Sequence, residues 1–500
     1  MKSRHRCHDE VVRRREQSRG SGFRAFVRAG LVVVCLFMSA GCAHYAVNQR
    51  VERYDTMARD YLTPTAQERS DELLLVLAFS GGGTRAAALS YGVLEALDKV
   101  SIPATAVEGN TRVREGSATL LDQVDIISSV SGGSVTSAYY ALYGDQTFVD
   151  FKDRFLHRNV NRDLLLRALS PFNTFRLGSM YYGRSDLASE YFDKLLFHGA
   201  TFGDLKGKDT PNIFIQATDI VDGIYFGFTP AYFSLICSDL DSFPVSRAVA
   251  ASAAFPGPFT AITLRNYAGT CGFEPKPWMA EALEKRDTTS RVFHVASHAS
   301  TYLHPEEKPY VHLVDGGVAD NLALRGPLEI ILGRGGIRET LKALGREKTR
   351  RIAFIIVNAE KETQTAWGLS ATGPGIFGIL GMTSSVMISS YNYETIDLLR
   401  RSMKDWSVES AREGGQPIEC YAIEIAFATL HDETERKYFS SIPTSFNLPD
   451  ESVDALIEVA GRILYSSEEF QKLVDDLGGE IPVSEVQETT AKELNQEGVE

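Results

Sequence analysis

Five hundred residues with 44% apolar and 23% charged side chains have the composition of an ordinary globular protein, long enough for one large α/β core or two to three smaller ones. Residues 1–41 hold nine Lys/Arg against three Asp/Glu, so the net charge of −13 becomes −19 without them. A body this acidic argues against nucleic acid as a partner.

The chain opens on a basic segment, followed by the apolar run Leu31–Met38 and then Ser39-Ala40-Gly41-Cys42. A basic stretch, a short apolar run and small residues make an export signal over 1–41, and the run is too short to span a bilayer as a stable helix. The alternative is an anchor that stays uncleaved. The sequence before Cys42 resembles the lipobox of bacterial lipoproteins, although Ser39 stands where leucine is usual. That resemblance implies acylation of Cys42. Ala43 in place of aspartate implies the outer membrane, on its periplasmic side or at the cell surface.

Residues 42–72 read as a tether and a capping segment. Leu73–Phe79 is continuously apolar, as in a strand buried on both faces of a parallel sheet. It leads into S-G-G-G-T-R (80–85) and a run of helical periodicity that Ser80 or Thr84 starts. Val100–Leu120 reads as a loop. A second buried strand, with Val124, Ile126 and Ile127, runs into S-S-V-S-G-G-S (128–134) and another helical run. Strand, glycine loop, helix, strand, turn and helix open an α/β/α three-layer domain.

Residues 145–210 read as helical, with an exposed apolar strip near Leu164–Tyr182. Asn212–Thr218 is a further strand with Ile224–Thr229 as its hairpin-like partner. V-S-R-A-V-A-A-S-A-A-F (245–255) is a small-residue helix stopped by Pro256 and packed on the sheet. Residues 266–309 read as an irregular insertion, Val311–Val314 and Ile352–Val357 as strands, and the glycine-rich 367–383 as a mobile surface loop or lid. Ser452–Leu477 is an amphipathic helix pair, and 478–500 an acidic disordered tail. The domain plan is a core over 73–330, with 331–477 as the C-terminal part of the same domain.

Of the cysteines in the folded region, Cys237 and Cys271 are open to two readings, a disulfide or two buried thiols; Cys420 is the third. No C-x-x-C pair asks for zinc. His294, His298 and His304 lack the H-E-x-x-H frame, so a surface segment is the better reading and no metal is expected. Nor does any EF-hand pattern ask for calcium.

Three motifs carry chemistry. A serine on a sharp strand-to-helix turn is a nucleophile elbow, which needs small neighbours two residues either side; with Ser131 as nucleophile these are Ser129 and Gly133, and Gly132 follows it directly. Gly81, Gly82 and Gly83 can point several backbone N–H groups at a developing oxyanion, whereas the spacing of a phosphate-binding loop is absent. Asp315 ends a strand and is followed by Gly316 and Gly317. After Asp315 the sole histidine is His431, in a charged run, and His312 faces away from Asp315 on the same strand. A Ser131–Asp315 dyad needs neither.

S-G-G-G-T-R-A, S-V-S-G-G and V-D-G-G, in this order, resemble the patatin-like phospholipases, with Q-A-T-D (216–219) and A-A-S-A-A-F-P (250–256) in support. The glycine loop looks closer to the cytosolic phospholipase branch than to the plant patatins. The resemblance covers about Leu73 to Arg325. It implies an α/β/α sheet, Ser131 as nucleophile, Asp315 as base, Gly81–Gly83 as oxyanion hole, no cofactor, and a phospholipid or other acyl-ester lipid at a membrane surface. Arg85 would be either a structural ion pair or a contact to lipid phosphate. An acyltransferase using the same acyl-enzyme and a non-catalytic lipid-binding lipoprotein are the alternatives. The head group and the oligomeric state stay open.

Overall fold

Ten strands make up the β-structure of the computed structural model, which describes residues 48–54, 70–103, 117–361, 376–412 and 417–482. They are β1 (Leu73–Phe79), β2 (Ser101–Pro103), β3 (Ser117–Thr119), β4 (Val124–Val130), β5 (Asn212–Asp219), β6 (Ile224–Gly227), β7 (Ile262–Arg265), β8 (Tyr310–Asp315), β9 (Arg351–Asn358) and β10 (Glu419–Ala426). The central sheet runs β10-β9-β1-β4-β5-β8-β7, and β6 also pairs with β5. From β10 to β5 every pairing is parallel, whereas β8, β7 and β6 are antiparallel additions.

β1 shows why the molecule has three layers. All seven of its residues are apolar and buried, and alternate residues serve opposite faces. Leu73, Leu75, Leu77 and Phe79 join a core with the helices Thr84–Asp98, Gly132–Tyr143 and Asp450–Ser466. Leu74, Val76 and Ala78 join the other core, with Leu328, Leu399, Met403 and Trp406. β9 lies between β1 and β10, so 331–477 completes the same sheet. The charged pair Arg346–Asp125 is buried beneath β1: Arg346 bonds Asp125 at 2.9 Å and also the Leu73 carbonyl, while Asp125 accepts the Leu75 N–H at 2.9 Å.

Several local expectations are corrected. The 100–120 stretch is not all loop: β2 and β3 pair antiparallel, Ser101 against Thr119, and 104–116 lie outside the described residues. The 266–309 insertion holds two helices, Pro277–Lys285 and Arg291–Thr301. The supposed lid loop is helical from Ile376, where a helix continues to Arg412; its 367–375 part is outside the described residues. Residues 478–482 belong to the folded body, with Ser101 and Glu480 exchanging backbone hydrogen bonds. The export signal, Cys42, most of the tether and 483–500 lie outside the described residues. Among the described residues no helix is long and apolar enough to cross a membrane.

Cys237 and Cys271 are joined as a disulfide, which settles the open choice between bridge and thiols. The N-terminal segment is sewn to it. Val51 N–H donates to the Cys237 carbonyl at 2.9 Å and Tyr54 N–H to that of Cys271 at 2.8 Å.

Candidate active site

The sheet's change of direction brings the two motif residues together. β4 ends at Val130, level with Gln216 of β5, and β5 runs on past that level to Asp219. β8 descends antiparallel along this overhang, Leu313 against Asp219 and Asp315 against Ala217. Asp315 therefore arrives beside the residue after Val130. Ser131 Oγ donates to Asp315 Oδ2 at 2.9 Å, and each residue is only 6% exposed.

Ser131 sits at φ 52°, ψ −120°, in a left-handed conformation that a serine adopts only when its surroundings hold it there. It is the N-cap of the helix Gly132–Tyr143, so the positive end of that helix dipole lies at Ser131. The following glycine is required by contact: a Cβ on Gly132 would collide with the Gly83 carbonyl. One on Gly133 would lie 2.7 Å from Phe79 Cβ and 2.8 Å from the Phe79 carbonyl. Ser129 fills the position where the elbow usually has glycine. It fits because its hydroxyl is buried and paired with Ser137 Oγ at 2.6 Å.

Asp315 is held by both oxygens and by its backbone. Gly317 N–H donates to Oδ1 at 2.8 Å, Ser131 occupies Oδ2, and Thr218 Oγ1 donates to the Asp315 carbonyl at 2.8 Å. Burial pushes the Asp315 carboxyl up to about 6, opposed by the Gly317 N–H and the Ser131 hydroxyl, which favour the charged form. That is a carboxylate poised to accept a proton near neutral pH.

The helix Val245–Ser252 proves more than packing. Ser252 Oγ accepts the Ser131 N–H at 2.8 Å and donates to the Gln216 carbonyl at 2.6 Å. The Ser252 carbonyl accepts the Gly316 N–H, and the Ala254 carbonyl accepts the Asp315 N–H at 3.0 Å. One helix end thus positions both members of the pair. Sequence reasoning missed this; the signal was a lone serine in the otherwise alanine-rich 250–254.

The glycine loop follows β1 and lies against the elbow. Gly81 N–H donates to the Asn321 carbonyl at 3.0 Å, so Gly81 is removed from the expected set of oxyanion donors. Gly82 (φ +145°) and Gly83 (φ +62°) have backbone N–H groups with no partner among the described residues. Thr84 N–H is taken by the Ser445 carbonyl at 2.8 Å.

Arg85 corrects both of its readings. It is 2% exposed and makes neither a salt bridge among the described residues nor an outward contact. Its guanidinium bonds the Ala359 carbonyl at 3.0 Å, the Ile442 carbonyl, and Thr444 Oγ1 at 3.1 Å. Burial lowers its pKa to about 10, with Glu360 acting the other way. Arg85 straps the 442–445 segment over the glycine loop.

The histidines stand apart from the pair. His312 faces Thr263 Oγ1 at 2.9 Å on β7, and His431 is exposed. His294 Nε2 lies 2.8 Å from the Thr288 carbonyl and His304 Nδ1 3.4 Å from Glu306. Among the described residues no three His, Cys, Asp or Glu side chains converge as metal ligands do.

Solved structures that the chain matches include human GIVD cytosolic phospholipase A2, at 12% identity over 83% of this chain and 62% of that one, with a TM-score of 0.40. VipD from Legionella pneumophila follows at 11% identity, 83% and 71% coverage and a TM-score of 0.24. The chain thus spans less than two thirds of the human enzyme. No curated protein sequence matches it. The family model described as "Patatin-like phospholipase" matches residues 77–328, from the middle of β1 past Asp315, and this match over half its length makes the chain a member of the patatin-like phospholipase family.

Proposed function

We propose that the protein is a serine acyl hydrolase that cleaves fatty acyl esters of phospholipids or related lipids through a Ser131–Asp315 dyad. The observation that carries this reading is the 2.9 Å bond from Ser131 Oγ, on a strained elbow, to a buried carboxylate with no histidine between them. Asp315 removes the hydroxyl proton as Ser131 attacks the ester carbonyl. The N–H groups of Gly82 and Gly83, with the N-terminus of the elbow helix, receive the negative charge that develops on the carbonyl oxygen. Collapse of the tetrahedral intermediate expels the alcohol half of the ester, which takes the proton from Asp315. Water, activated by the same carboxylate, then frees the fatty acid. No residue in this sequence of steps needs a metal or a cofactor.

The same proposal places the protein outside the cytoplasm, tethered through acylated Cys42. The Leu31–Cys42 sequence supports it, and so does the Cys237–Cys271 disulfide, a bond that persists in oxidising compartments.

Fatty acid release from phosphatidylcholine and phosphatidylglycerol, wild type beside Ser131→Ala, tests the reading. Release that disappears with Ser131 supports it. Transfer of the acyl group to an added alcohol in preference to water would make the protein an acyltransferase. Equal release from both proteins would remove Ser131 from the chemistry.

A further inference from the structure

One apolar feature of the surface plays no part in the dyad. The helices Val160–Ala168 and Pro171–Leu177, with the turn after them, leave Leu165, Leu166, Leu169, Phe172, Phe175 and Met180 exposed, Phe175 at 84%. In the first helix only Val160 is buried, and in the second no residue is. A surface helix ordinarily turns its apolar face to the core. Here Val160 and Leu164 serve the core, while Leu165, Leu166, Leu169, Phe172 and Phe175 meet water instead, and an exposed apolar patch of this kind marks a contact surface.

The charge around it says what it contacts. Between His157 and Arg184 the chain has arginine at 158, 162, 167, 176 and 184 against the single acid Asp163, within a chain of net charge −13. Asp163 pairs with Arg158, and Glu190 with Arg176. The Arg176 guanidinium lies over Phe172 and Tyr182, at 5.4 and 3.6 Å from the ring centres. Leucine, phenylalanine and methionine rimmed by arginine are what a helix lying in the interface of an anionic bilayer presents. A second copy paired about a twofold axis would set the same arginines against each other.

Hydrogen bonds tie the segment that follows the patch to the chain beside the dyad. Arg184 Nη2 donates to the Gly257 carbonyl at 2.9 Å, and Ser185 Oγ to the Thr260 carbonyl at 2.5 Å. Gly257 lies three residues beyond Ala254, whose carbonyl holds the Asp315 N–H, and Phe255 between them is exposed.

We propose that residues 160–181 form the face by which the protein seats on an anionic lipid bilayer, with Ser131 and Asp315 at the edge of the contact. The proposal builds on the acyl-ester lipid reading of the site, and its test is separate from that chemistry.

A tryptophan replaces Phe175 in the full chain carrying Ser131→Ala, so that lipid stays intact. A control carries Val408→Trp, exposed near Ser410, which bonds Ile418 N–H at the end of β10 remote from the dyad. Vesicles contain phosphatidylglycerol and phosphatidylcholine in equal parts, with brominated acyl chains. The proposal expects the Phe175→Trp emission to shift to the blue and to be lost to quenching, and the Val408→Trp emission to be unchanged. It also expects the effect to weaken on phosphatidylcholine alone. Leu169→Trp repeats the measurement at a second position. Absent quenching, or equal quenching at 175 and 408, overturns the proposal. So does a blue shift without vesicles that grows with protein concentration, the mark of a second copy. Quenching without fatty acid release by the Ser131 protein would sink the hydrolase reading and leave the docking face standing; release without quenching would do the reverse.

Discussion

Ser131 is held in its left-handed conformation by an N–H bond to Ser252 Oγ and a side-chain bond to Asp315. Ser252→Ala removes the acceptor from a buried N–H, a loss of about 1–3 kcal/mol in stability. Because the orphaned group is the backbone of Ser131, the proposed mechanism expects turnover to fall with it; chemical denaturation and ester hydrolysis measure the two. In the proposed mechanism Asp315 acts as base only when ionised, so kcat/KM should rise with pH through about 6, the level to which burial lifts its carboxyl. The same shift acts on stability with the opposite sign. A carboxyl raised in the folded state favours folding below its unfolded value, and that contribution is lost as pH rises through about 6. Asp320, also raised to about 6, and Glu329, raised to about 7, act in the same direction, both by burial. Asp315→Asn should therefore stabilise the protein relative to wild type at pH 8 more than at pH 5, by roughly 1–2 kcal/mol in denaturation curves, while it abolishes turnover.

Much of the element scale is legible in the sequence. The apolar runs of β1 and β4 mark strands buried on both faces, and each is followed by glycines whose necessity the structure makes physical: Gly132 has no room for a Cβ because the Gly83 carbonyl lies against it. What stays hidden has physical reasons too. The helix beginning at Ile376 has Gly378 and Gly381 in its first turns, residues that weaken a helix on their own, and the length of the whole element overrides that local preference. The helices of 277–301 are short and bury only Met279 and Ala296, so the core does little to mark them out from an irregular surface segment. Arg85 looked like a ligand for anions because it follows a glycine loop, yet its partners lie more than 270 residues away, at Ala359, Ile442 and Thr444. Its role has a direct check. Arg85→Met should cost about 2–4 kcal/mol through the orphaned carbonyls, and should lower turnover of a phosphate-free ester as much as that of a phospholipid. A loss confined to the phospholipid would return Arg85 to phosphate binding.

At the scale of the molecule, the sheet gathers Ser131, Asp315 and the glycine loop at one end, and the buried Arg346–Asp125 pair closes the core toward the other. The disulfide fixes where the N-terminal segment joins that body, since Val51 and Tyr54 bond the carbonyls of its two cysteines. Closing a 34-residue separation restricts the unfolded chain by roughly 3–4 kcal/mol on a chain-entropy account. Reduction, or Cys237→Ser with Cys271→Ser, should lower stability by about that much and expose the 48–54 segment to protease. An unchanged melting temperature and digestion pattern would contradict this role.

The dyad itself is tested most directly by the rate of labelling with a fluorophosphonate, measured from pH 4 to 9 for wild type, Ser131→Ala and Asp315→Asn, each verified as folded by circular dichroism. The predicted result is wild-type labelling that rises through about pH 6, none in Ser131→Ala, and in Asp315→Asn a rate lower by about 10²–10⁴ without that rise. Labelling that survives in Ser131→Ala, or a wild-type profile unaltered by Asp315→Asn, would contradict the Ser131–Asp315 mechanism.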